Sequence, residues 1–137
     1  MIGFFEDSGL SVPSVGINAM QASNGSSAAV DRQVWLGVTD TDRAYYAASD
    51  PGTDDIVVSI IDAASGASLL PSSLRLAFDA GGLDTATPGA SLAIGTDVQP
   101  GSVNAGSFMI RIDTAAFTSG VYDNLSLTTN SLISQAV

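Results

Sequence analysis

The side chains of this chain that could do chemistry are almost all carboxylates. Fourteen acids stand against four cations in 137 residues, a net charge of −10. All the acids are Asp except Glu6, and the cations are Arg32, Arg43, Arg75 and Arg111. Lys, His and Cys do not occur. That removes the thiol nucleophile and the zinc-thiolate site, the imidazole base and the Schiff-base lysine. A serine here has no base to activate it. Two reactions of carboxylates are left. Asp40-Thr41-Asp42, followed by Asp50, Asp54 and Asp55, would make an oxygen-rich Ca²⁺ cage if a strand between the two turns brought them together. The Gly and distal Glu of an EF-hand loop are missing, so solvated turns are the favoured reading. A carboxylate pair doing glycoside hydrolysis needs a cleft with aromatic sugar platforms, and aromatics are only 7% of the chain. The expectation is a non-enzyme with no cofactor and no metal. So acidic a chain would not bind nucleic acid by neutralising phosphates.

The elements that must position these groups read as strands. Gln33–Thr39 alternates, with Val34, Leu36 and Val38 on one face. Ala44–Ala47 is a short aromatic strand whose Tyr45 and Tyr46 point to opposite faces, and Asp50-Pro51-Gly52 turns the chain. Ile56–Asp62 is the most β-branched run and reads as a central strand. Leu74, Leu76 and Phe78 align, then Leu92 with Ile94, then Phe108, Ile110 and Ile112, and finally Leu125 with Leu127 within 121–129. Gly81-Gly82 argues against a helix between Phe78 and Ala86, whereas Asp113 and Thr114 would cap a helical turn over 114–118. About seven short strands separated by Gly, Pro and Asp turns predict an all-β antiparallel sandwich. It would span residues 31–130, between an irregular N-terminal arm (1–30) and a C-terminal tail (131–137).

The arm begins MIGFFEDSG, without the basic and long apolar regions of a secretory signal. The longest apolar stretch, Ile56 to Ile61, is interrupted by Ser59, and six residues are too few to span a bilayer. Together with Met1, these features predict a chain folded in a cytoplasm, with no membrane partner. The Asn-x-Ser sequons at Asn24 and Asn124 then read as accidental.

Ile112-Asp113-Thr114 through Gly120-Val121-Tyr122 to Leu127 resembles the end of a bacterial immunoglobulin-like domain. The resemblance implies an immunoglobulin-like sandwich in which Tyr122 closes a corner and Trp35 is a candidate core residue. A wider likeness rests on Arg32-Gln33-Val34-Trp35-Leu36-Gly37, Ala47–Gly52, Ile56–Ile60, Leu74–Ala77, Leu92–Thr96 and Leu125–Asn130. Across residues 30–130 these segments resemble small tailed-bacteriophage virion structural proteins. That likeness implies a decoration or cement protein on the capsid that binds neighbouring virion subunits, or a tail or tail-adjacent component. The partners would be the major capsid or tail protein and further copies of the chain, the location the virion, and the site of assembly the host cytoplasm. An immunoglobulin-like adhesion or carbohydrate-binding module is the alternative from another class.

Five residues are candidate partner contacts. Ile2, Phe4 and Phe5 either fold back onto the domain or dock on a neighbouring subunit. Arg75 and Arg111 lie mid-strand, opposite the large apolar residues. They either make cross-strand pairs with Asp79 or Asp113 or project into an interface.

Overall fold

Nine residues from Val30 to Val38 form the spine of the molecule, and their alternation decides what lies on each side of it. The computed structural model describes residues 1–14, 17–21, 30–62, 71–112 and 120–137, with side chains left out for 17–21, 30, 71 and 120–124. In chain order the strands are β1 (Ile2–Phe5), β2 (Ile17–Gln21), β3 (Val30–Val38), β4 (Arg43–Ala47), β5 (Ile56–Asp62), β6 (Leu74–Ala77), β7 (Leu92–Gly95), β8 (Asp97–Val98), β9 (Gly106–Ile112), β10 (Gly120–Thr129) and β11 (Leu132–Ala136). One α-helical turn, α1 (Ala80–Leu83), follows β6. The strands form three sheets in the orders β1-β3-β9-β6, β2-β10-β5-β7 and β11-β4-β8, and every strand pair is antiparallel. The all-β expectation holds. No helix among the described residues is long and apolar enough to cross a membrane.

The predicted rows supply the core. Val34, Leu36 and Val38 of β3, Leu74 and Leu76 of β6, and Phe108, Ile110 and Ile112 of β9 are buried together with Ile56 and Val58 of β5, Val98 of β8 and Leu125 of β10. The cluster thus draws on all three sheets. Burying each such side chain is worth about 1.5–3 kcal/mol. β5 runs between β10 and β7, an internal strand as its β-branched run suggests.

Eleven strands rather than about seven are present among the described residues. Two of the four additional ones, β1 and β2, lie in the segment read as an irregular arm, and β11 lies in the one read as a tail. The fourth, β8, is only two residues long. β1 has four residues, too few for alternation to show.

Two local readings are corrected. Phe78 does not join Leu74 and Leu76: β6 ends at Ala77 and Phe78 is 55% exposed. Gly81 and Gly82, read as helix breakers, lie inside α1, because the Asp79 carboxylate caps the turn by accepting from the Gly82 amide at 2.6 Å. The turn seats Leu83, which is fully buried. Trp35 falls on the face of β3 opposite Val34 and Leu36 and is only partly buried, outside the core cluster. Tyr122 lies in β10 opposite Ala19, its side chain outside the described residues. The helical turn expected over 114–118 also lies outside them.

Candidate functional site

Two carboxylates of the acidic turns, Asp40 and Asp54, are held by hydrogen bonds or an ion pair. Asp40 takes the Met1 ammonium and the Tyr45 hydroxyl at 3.5 Å. Asp54 accepts from the Ser49 hydroxyl at 2.6 Å. The Asp50 carbonyl receives the Thr53 and Asp54 amides at 3.1 and 2.9 Å, which makes the Asp50-Pro51-Gly52 turn. Among the described residues no three acids converge on a point where a cation would sit.

Arg75 and Arg111 stand directly opposite each other in the β6–β9 register. Two like charges there repel, and the surroundings neutralise one of them. Asp31 faces Arg111 in the β3–β9 register, and its carboxylate accepts from Nε and Nη2 at 2.8 and 3.1 Å. Asp84, just past α1, takes Nη1 at 2.7 Å. This two-sided hold raises the Arg111 pKa, first through Asp31 and then through Asp84, and the same guanidinium lowers that of Asp31. Arg75 donates to the Leu83 and Asp84 carbonyls at 3.3 and 3.4 Å, closing the C-terminal end of α1. The cross-strand pairing of Arg111 was expected to use Asp79 or Asp113. Asp79 is engaged as the cap of α1, and Asp113 lies outside the described residues. Asp31 and Asp84 take their place, a substitution set by register between distant strands.

Ile2, Phe4 and Phe5 pack against this chain itself. β1 pairs with the last four residues of β3, from Ile2↔Val38 to Phe5↔Trp35. Ile2 and Phe4 therefore join the inner row, and the Phe4 ring meets Phe108 edge to face at 6.2 Å and 82°. Phe5, one residue on, faces the other side and is buried there at 6% exposure. Its cover is the returning chain: the Glu6 amide donates to the Val12 carbonyl at 2.8 Å and the Ser14 amide to the Phe4 carbonyl at 2.9 Å, with a bridge between Phe5 and Pro13. At the tip, the Asp7 carboxylate collects the Ser11 amide at 2.9 Å, the Ser11 hydroxyl at 2.7 Å and the Val12 amide at 2.7 Å. These bonds turn Leu10 into the left-handed region, at φ 56°, and lay its side chain over Gly37.

The Ser11 hydroxyl and the Val12 amide hold the Asp7 carboxyl below its usual 3.8, as Arg111 does that of Asp31. A carboxyl that is more acidic folded than unfolded contributes stability above its unfolded pKa and loses it as pH falls through the folded one. The urea midpoint, followed by Trp35 fluorescence, is accordingly expected to be flat near neutrality and to fall below about pH 4. Asp7→Asn should lower the neutral-pH midpoint and make the acid decline shallower. An unchanged decline would remove Asp7 from the account.

The N-terminal hairpin leaves an opening. β1 stops at Phe5, while β3 continues back to Val30. A cavity of about 530 Å³ lies along residues 32–35 of β3, with Glu6 and Ser14 at the β1 end and Ile110 on the inner side. Residue typing did not find this feature, because it arises from the different lengths of two paired strands.

Comparison of the chain with protein-family profiles, with curated proteins and with solved structures finds no match.

Proposed function

We propose that this chain is a non-enzymatic structural protein of a phage virion, a capsid decoration or cement protein that binds neighbouring virion subunits. The two four-stranded sheets are read as the layers of an immunoglobulin-like sandwich, with β11-β4-β8 as an added flank. The observation that carries the functional reading is where the charged groups go. Among the described residues, Arg111, Arg75, Asp7, Asp31, Asp79 and Asp84 bond to one another, to the backbone or to Ser11 in holding turns and strands. The likeness of residues 30–130 to small virion proteins supports the same reading, and an acidic surface keeps unassembled copies soluble. The location is the virion, and the partners are the major capsid or tail protein and further copies of the chain. A place in the tail is the close variant. An adhesion or sugar-binding module is the second reading, favoured by the partly buried Trp35 beside the cavity.

The test is co-sedimentation of the purified chain with phage capsid shells and with isolated tails, alongside its mass by light scattering. Saturable binding to shells is the expected result. Saturable binding to tails alone selects the variant, and binding to neither while a glycan array gives a hit selects the second reading.

A further inference from the structure

The phase of hydrogen bonding along β3 follows from one contact. The Thr39 amide donates to the Met1 carbonyl at 3.0 Å, which makes Met1 and Thr39 a hydrogen-bonded antiparallel pair. Such pairs recur at every second residue. Odd-numbered residues of β3 thus turn their N–H and C=O groups toward β1, and even-numbered ones toward β9. β9 pairs with Val30 to Leu36, and β1 with Trp35 to Val38 only. The N–H and C=O groups of Gln33 and Asp31 therefore point to the β1 side, where no strand among the described residues meets them. The cavity lies along this stretch, roughly 10 Å of strand at about 3.4 Å per residue.

Side chains fit the same geometry. Ile2 and Phe4 of β1 oppose Val38 and Leu36 on the inner face. A strand continuing that line would place its next inner residue opposite Val34, beside Ile110, both core residues that reach the cavity. Its outer residues would lie opposite Gln33 and Asp31, since Phe5 already opposes Trp35. Of the residues that line the slot, Glu6 and Arg32 offset each other in charge, so the preference for a basic segment comes from the whole chain, which carries −10.

We propose that this slot accepts one extended segment of a partner protein, added antiparallel to β3 in line with β1. Its inner residues are apolar and its outer ones basic. Main-chain bonds to Asp31 and Gln33 supply affinity, and the alternating side chains supply selectivity. The idea deepens the assembly reading, since it names the kind of segment a neighbouring subunit would offer.

The full-length chain is titrated with a blocked octapeptide of alternating valine and lysine, followed by the fluorescence of Trp35, its single Trp. Amide exchange at Asp31 and Gln33 is read by NMR. The expected result is a Trp35 shift with at least tenfold slower exchange at both amides on saturation. A peptide of equal charge with proline at its two central positions lacks the donors for β3 and should bind at least tenfold more weakly. An alternating valine–glutamate peptide should also bind more weakly. In the protein, Gln33→Pro removes an amide that faces the slot rather than β9 and should abolish binding. If that variant does not fold, the peptide comparison decides alone. Equal binding of the lysine and proline peptides would reduce the effect to charge adsorption and overturn the proposal. So would slow exchange at Gln33 in the free chain, or protection that rises with protein concentration, because the slot would then be filled by this chain or a second copy. A chain that binds shells yet fails the peptide test retires the slot and leaves the assembly reading in place.

Discussion

Phe108→Ala is expected to cost about 3–5 kcal/mol of folding stability, the largest effect of any single truncation here. The side chain is fully buried, on the inner row of β9. It sits opposite Val34 in the β3 register, and the Phe4 ring meets it edge to face. Truncation loses the transfer free energy of the ring and leaves a cavity lined by strands whose hydrogen bonds resist collapse. A protein of this size has about 5–15 kcal/mol in total, so the variant should unfold at a much lower urea concentration. Phe4→Ala should cost less, since that ring is only partly buried. A double-mutant cycle should return a coupling of about 0.5–1.5 kcal/mol for the ring pair. A near-zero coupling would mean that β1 does not hold Phe4 against Phe108 in solution, and the apolar N-terminal residues would again be free to dock on a neighbour.

What could be read from the sequence follows a physical division. The inner rows Val34-Leu36-Val38 and Phe108-Ile110-Ile112 were legible because alternation is a local signal and the core is where apolar side chains must go. Phe78 misled because the same alternation carries no mark of where pairing stops. That end is set by Asp79, whose carboxylate starts a helical turn over two glycines. Both arginines were placed correctly opposite the apolar row, but their partners were not. Asp31 is 80 positions from Arg111, and only the β3–β9 register brings the two together. The slot beside Gln33 has the same origin, because it depends on how far β1 runs along β3, which neither strand encodes alone.

Gly37→Ala is the second large expectation, a loss of about 1–3 kcal/mol from overpacking. A Cβ at this position would lie 2.5 Å from both Leu10 methyl carbons. β3 cannot yield, because Leu36 and Val38 on either side are core residues. The hydrogen bonds from Ser11 and Val12 to Asp7 fix the Leu10 backbone at its φ of 56°, so relief has to come from turning the Leu10 side chain, 8% exposed, out of its buried place. The strain should therefore fall on the hairpin, loosening the Ser14-to-Phe4 bond and exposing Phe5. The expected signature is a lower urea midpoint together with faster amide exchange at Ser14, while the β9 amides keep their relative protection. The Leu10→Gly background separates this account from a general dislike of alanine in β3. Glycine adopts the left-handed conformation freely and leaves room for the new methyl group. In that background Gly37→Ala should cost less than about 0.5 kcal/mol, a departure from additivity that only contacting residues produce. An equal cost in both backgrounds would show that Leu10 does not rest on Gly37, and the hairpin would then need another reason to lie across this face of the sheet.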